Sequence, residues 1–231
     1  MKQYALITGS YWVFTLTDGA LRMLVVLYFH ELGYSPLDIA FLFLFYEFFG
    51  IITNLFGGWL AARMGLSATI ISGLFLQTFA LGMLLVDSSY LTVAYVMTAQ
   101  ALSGVAKDLN KLGAKSSVKL VAGDNQTKLY RWVAWLTGSK NALKGVGFFA
   151  GGAGLATIGF TASVVTMVLC VGVVGVVALL LLDANLGKAS FKPKFSELFS
   201  KSRQINLLSA ARLFLFAARD VWFVVALPVF L

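Results

Sequence analysis

Seven basic side chains, Arg22, Lys107, Lys111, Lys140, Lys144, Arg212 and Arg219, interrupt stretches that are otherwise apolar enough to cross a bilayer. Four acids share those stretches: Asp18, Glu47, Asp108 and Asp220. A charge near mid-bilayer costs roughly 2.5–3.5 kcal/mol on insertion scales, so such groups face a bundle interior or a watery cavity. If each acid takes one cation, three of the seven cations stay unpaired. Lysine can shed its proton when buried, whereas arginine cannot. The surplus therefore calls for a multiply charged anion, such as a phosphate-bearing carboxylate.

Spacing sorts these residues. Asp18 and Arg22 stand four apart, on one helical face, where they either pair with each other or serve as anion ligand and partner. Lys107, Lys111 and Lys115 form one stripe, and Lys111 lies near enough to the interface to snorkel. Lys140, Asn141 and Lys144 sit roughly 13–20 Å along a helix from Arg131, close to mid-bilayer. Two lysines one turn apart repel unless Glu47, Asp108 or a ligand lies opposite. The candidate anion ligands are thus Arg22, Lys107, Lys140, Lys144 and Arg219, with Asn110 and Asn141 to orient the anion. Proton coupling needs a carboxyl that can change charge, and Asp18, Glu47 and Asp108 are equal candidates.

The elements that must hold these groups are membrane helices. Of 231 residues, 59% are hydrophobic and only 12% charged, with a mean hydropathy of +0.86; ordinary domains carry about 25% charged residues. Six apolar spans are predicted, at 4–29, 38–62, 68–86, 90–112, 130–158 and 161–182, and a seventh starts near 205. Gly33 stops the first, Ser35 caps the second with Pro36 at its first position, and Gly159-Phe160 forces the fifth and sixth into an antiparallel hairpin. Gly147, Gly151 and their neighbours read as a small-residue face for close helix packing. Cys170, the single cysteine, reads as a small core residue.

Loop charge sets an expected orientation. The loops at 30–38, 87–90 and 159–161 hold no lysine or arginine, whereas Arg63, Lys115, Lys119, Lys128, Arg131, Lys188, Lys192, Lys194, Lys201 and Arg203 occupy the alternate ones. The positive-inside rule places the N-terminus and these basic loops in the cytoplasm. This also explains the net charge of +8 without nucleic acid. The domains are expected at 1–182 (six-helix bundle), 183–204 (basic linker, amphipathic through Phe191, Phe195, Leu198 and Phe199) and 205–231 (start of a second bundle). Leu231 has no polar flank, so the chain is expected to be the front of a longer protein with no cleavable leader.

Motifs for other chemistry are missing. No phosphate-cradling loop ends in Lys-Ser/Thr, so neither ATP nor another cofactor is expected. No His/Cys/acid group suits a metal. His30, the single histidine, reads as an interfacial cap, which leaves no catalytic residue and no expectation of an enzyme. The rival readings are an intramembrane enzyme on anionic lipids, which needs a nucleophile–base pair, and a scaffold with every charge mutually paired.

Residues 58–65 (GWLAARMG) resemble the cytoplasmic loop signature of the major facilitator superfamily, with Ala62 in place of its usual Asp and Leu66 in place of its second basic residue. Segments 14–22 (FTLTDGALR), 44–50 (LFYEFFG), 104–111 (GVAKDLNK), 114–117 (AKSS) and 136–147 (LTGSKNALKGVG) closely resemble the organoarsenical efflux permeases of bacterial arsenic-resistance operons. That resemblance implies an all-α polytopic inner-membrane protein of about twelve helices, of which this chain is the N-terminal half plus helix seven. It implies export of 1-arseno-3-phosphoglycerate by a secondary antiporter, and a functional link to the glyceraldehyde-3-phosphate dehydrogenase that makes this compound from arsenate. An organophosphate or inorganic-anion exchanger of the same fold is the runner-up.

Overall fold

The computed structural model describes residues 2–123, 125–188 and 202–220, with backbone alone at 212–213 and 216–220. Two compact units are present, 1–190 and 191–231. The first contains α1 (Lys2–Glu31), α2 (Pro36–Leu42), α3 (Leu44–Met64), α4 (Leu66–Met83), α5 (Val93–Ala122) and α6 (Gln126–Leu181). The described part of the second is α7 (Arg203–Asp220). The expected amphipathic stretch around Phe191–Phe199 lies outside the described residues, as do 221–231.

The first turn forms as its residues dictate. Gly33 takes φ +84°, a backbone state that costs other residues a steric clash. The Ser35 hydroxyl then accepts the Asp38 N–H at 3.2 Å, and the Asp38 carboxylate accepts the Ser35 N–H at 3.3 Å. This reciprocal cap starts α2 with Pro36 in its first turn.

Two elements and one residue differ from expectation. The second span is two helices, because the Phe43 N–H turns back to the Ala40 carbonyl at 3.2 Å and tightens one turn. Neither Gly nor Pro marks this break, so sequence carried no signal of it. The fourth span runs ten residues past its expected end, to Ala122, because Ala114, Ser117 and Val118 are buried and keep the helix packed beyond the apolar stretch. At about 1.5 Å per residue its 30 residues exceed the ~30 Å hydrocarbon thickness. Cys170 is exposed, not core. The packing face of that helix is Val164, Met167, Val171, Gly175 and Ala178, and Cys170 falls off this stripe.

The expected hairpin is present within α6. Gly159 adopts φ 81°, ψ 175°, a region open essentially to glycine alone, and the chain reverses there. A Cβ on Gly154 would lie 2.7 Å from the Ser163 hydroxyl, which only a fold-back allows. Both arms (126–158 and 160–181) return to the start of α1. Tyr4 stacks on Trp132 at 4.0 Å, and the Gln3 amide donates to the Leu181 carbonyl at 3.0 Å. At the opposite end of α1, Tyr28 stacks on Phe160 at 4.0 Å. The start of α4 joins the basic end too, where the Ser67 hydroxyl donates to the Asp183 carbonyl at 2.6 Å.

Helix packing relies on small residues. Hydrocarbon offers no hydrophobic drive between helices, so backbones must approach closely to gain dispersion. A Cβ on Gly147 would strike the Leu16 carbonyl, and one on Gly151 the Ala20 carbonyl, so α1 and the first arm of α6 touch backbone to backbone. Gly104 of α5 similarly meets the Tyr46 carbonyl of α3. Around these contacts α1 lies chiefly along α6, while α5 is flanked by α3 and α4. Outward faces stay apolar, with Phe48, Ile51 and Leu55 on α3 and Phe149, Leu169 and Leu180 on α6 exposed. Among the described residues, four helices, α1, α2–α3, α4 and α6, are long and apolar enough to cross a membrane, and each arm of the α6 hairpin is long enough for one crossing. The chain is a multi-pass membrane protein.

Candidate functional site

Gly104 is where the site begins. By bringing α5 against the Tyr46 carbonyl, it sets Lys107, one turn on, beside α3. The Lys107 ammonium lies 4.0 Å from the Tyr46 ring centroid and 3.4 Å from Glu47 Oε2. From α1, Arg22 reaches the same carboxylate at Oε1, 2.7 Å away, and covers Tyr46 with its guanidinium 4.2 Å from the ring centroid. Cations over an aromatic face are held by its quadrupole, more firmly when desolvated. Tyr46 itself is fully buried, and its hydroxyl donates to Asp18 Oδ1. Five side chains from α1, α3 and α5 thus form one network.

The α1 spacing that sequence offered brings Asp18 within electrostatic range of Arg22 without a direct ion-pair contact. Asp18 and Arg22 share a face, yet Arg22 turns to Glu47, while Asp18, 4% exposed, takes the Tyr46 hydroxyl. Tyr46 was not among the candidate residues, and its only sequence signal was adjacency to Glu47. Lys111 pairs with Asp108 at 3.1 Å within α5. Gly50 of α3 gives that pair room, since a Cβ there would lie 2.7 Å from Asp108 Oδ2.

The remaining candidates fall in different places. Asn110 is completely buried and donates to the Ile70 carbonyl at 3.4 Å, so it faces α4. Asn141 is exposed on α6. Lys140 and Lys144 are half-buried on α6, and neither makes an ion pair with a described carboxylate. Lys144 stands within electrostatic range of Arg22, Asp18, Lys107 and Lys140, and Lys140 within range of Lys107, Lys111, Lys115 and Asp18. Arg219 and Arg212 are on α7, and their side chains lie outside the described residues.

Charge within the first unit can now be assigned. Arg22, Lys107, Lys111, Lys140 and Lys144 face Asp18, Glu47 and Asp108, five cations against three carboxylates. Glu47 serves two cations, Asp108 one and Asp18 none. The surplus settles on Lys140 and Lys144. Arg22 also keeps its Nε buried without an acceptor, a donor that costs about 1–3 kcal/mol unless something accepts from it. Among the described residues no group of His, Cys, Asp and Glu is placed to hold a metal ion.

No protein-family model matches the chain, and no curated protein matches it. Among solved structures it is similar to the crystal structure of a mutant of the peptide transporter POT in complex with sulfate. The TM-score is 0.65 at 19% identity, covering 96% of this chain and 46% of that one, so this chain spans about half the length of the transporter it matches. The fold is that of a partial helical bundle of the kind found in major facilitator superfamily transporters.

Proposed function

We propose that this chain forms the N-terminal half of a secondary transporter that exports a multiply charged organic anion, 1-arseno-3-phosphoglycerate, across the bacterial inner membrane. The observation that carries the reading is the unequal pairing of charge. Lys140 and Lys144 have no described carboxylate partner while Arg22 and Lys107 share one, and Arg22 holds a buried N–H in reserve. Half-buried cations without a carboxylate partner are free to take an anionic ligand, and their charge is only partly screened by solvent. A phosphate with an acyl arsenate matches in charge the cations contributed by α1, α5 and α6, which lie within electrostatic range of one another. The resemblance of segments 14–22, 44–50, 104–111, 114–117 and 136–147 to organoarsenical permeases is the reason for naming this anion, and the fold is in keeping with alternating access about a midplane site. The sulfate in the matched peptide transporter belongs to that protein; it is in keeping with an anion site in this fold.

The test uses the full-length protein in everted membrane vesicles. Glyceraldehyde-3-phosphate dehydrogenase, its substrate, NAD and arsenate are added outside to generate the organoarsenical in place. Arsenic is expected to accumulate inside only when the dehydrogenase is active. No accumulation despite verified membrane insertion overturns the proposal. Exchange of inorganic phosphate or 3-phosphoglycerate without arsenic uptake would instead assign an organophosphate exchanger.

A further inference from the structure

Of the three carboxyls able to couple protons, we propose that Asp18 is the one that takes up the proton, through its hydrogen bond with Tyr46, and that this protonation strengthens anion binding. The inference rests on the anion-transport reading above and specifies its regulation.

Partners separate the three acids. Glu47 bridges Arg22 at 2.7 Å and Lys107 at 3.4 Å, so loss of its charge strands two cations at once. Asp108 holds Lys111 at 3.1 Å. Asp18 makes no ion pair with a described cation and is bonded by a neutral hydroxyl alone. When the proton binds at Asp18, the bond need only reverse: the carboxylic acid becomes the donor, and the Tyr46 oxygen, which has lone pairs free, becomes the acceptor. The Tyr46 O–H rotates away and no hydrogen bond to a cation is broken, while Arg22, Lys140 and Lys144, all within electrostatic range of Asp18, lose part of their compensating charge.

The surroundings fix the sign. Around Asp18, α1 contributes Tyr11 and Arg22, α3 contributes Tyr46, and α6 contributes Lys140 and Lys144, while Glu47 and Lys107 join through Arg22, Asp108 lies within range of Tyr11, and Lys111 pairs with Asp108. The acid of α2, Asp38, is held in its own cap with Ser35. Neutralising Asp18 raises the positive excess facing the anion by one charge. Proton and anion therefore bind cooperatively, and by linkage each raises the affinity of the other equally. This runs opposite to an exchange in which proton and anion compete for the site, as the expected antiport would require.

Two measurements on the purified full-length protein decide the matter. In infrared difference spectra taken from about pH 8 to about pH 4, spanning the carboxylate range, a protonated-carboxyl C=O band is expected that vanishes in Asp18→Asn and shifts in Tyr46→Phe. It should survive Glu47→Gln. In calorimetry with 3-phosphoglycerate, wild type should take up more protons on binding than Asp18→Asn, and its affinity should rise about 5–150-fold on acidification relative to that variant. An unchanged band in Asp18→Asn, or proton release on binding, overturns the inference. If 3-phosphoglycerate does not bind wild type at all, arsenic accumulation in the vesicles decides the transport reading, and the infrared band still decides the assignment of Asp18.

Discussion

Arg22 and Glu47, 25 residues apart, meet at 2.7 Å and tie α1 to α3, while Lys107 holds the other oxygen of the same carboxylate from α5. One acid therefore fastens three helices. Glu47→Gln keeps the shape and removes the charge. It is expected to lower stability by about 1–3 kcal/mol, less than for a fully buried pair, because the Glu47 side chain is 45% exposed in this unit. Thermal unfolding in detergent checks this, and a double-mutant cycle with Lys107→Met should show coupling. Strict additivity would mean that the bridge contributes nothing.

The close approach of α1 and α6 gives a second prediction. Gly147→Ala and Gly151→Ala each place a methyl on backbone of the neighbouring helix, which cannot yield as a side chain can. Each should destabilise by about 1–3 kcal/mol. Gly138→Ala and Gly145→Ala, on the same arm, meet nothing within 4 Å and should stay within about 0.5 kcal/mol of wild type. Equal melting temperatures for the two pairs would refute the packing.

Lys140 and Lys144 are predicted to act on the anion and not on the fold. Each substitution to Ala should leave the melting temperature nearly unchanged, since neither side chain pairs with a described carboxylate. Each should weaken 3-phosphoglycerate binding by roughly 10–150-fold, the loss of one charge-assisted contact. Normal binding with lowered stability would assign both lysines to the scaffold.

Orientation is tested by reporter fusions. Alkaline phosphatase joined after Tyr34 should be active outside the cytoplasm, and the same reporter after Gly123 should be silent. The loops alternate in charge because translocating lysine and arginine is unfavourable. The reverse pattern of activity would invert the proposed topology.

Helix positions, the capped turn at Ser35, the hairpin at Gly159 and the small-residue face at Gly147 and Gly151 were all readable from the chain. Each depends on local chemistry: apolar length, a side chain bonding its own backbone, a φ that only glycine takes, and the absence of a Cβ. The break at Phe43 and the extension of α5 were not readable, since neighbouring helices set them.

The sequence by itself determined that cations outnumber acids within membrane-spanning segments, because composition and apolar length need no fold to be counted. Only the tertiary structure decided which acid meets which cation. The spacing of Asp18 and Arg22 allowed a pair, but contact across helices is set by how closely backbones approach and how each helix is rotated. Gly104 against Tyr46 fixed that for α5 and α3 and with it joined Lys107 to Glu47, while the approach of α1 to α3 set Asp18 on the Tyr46 hydroxyl.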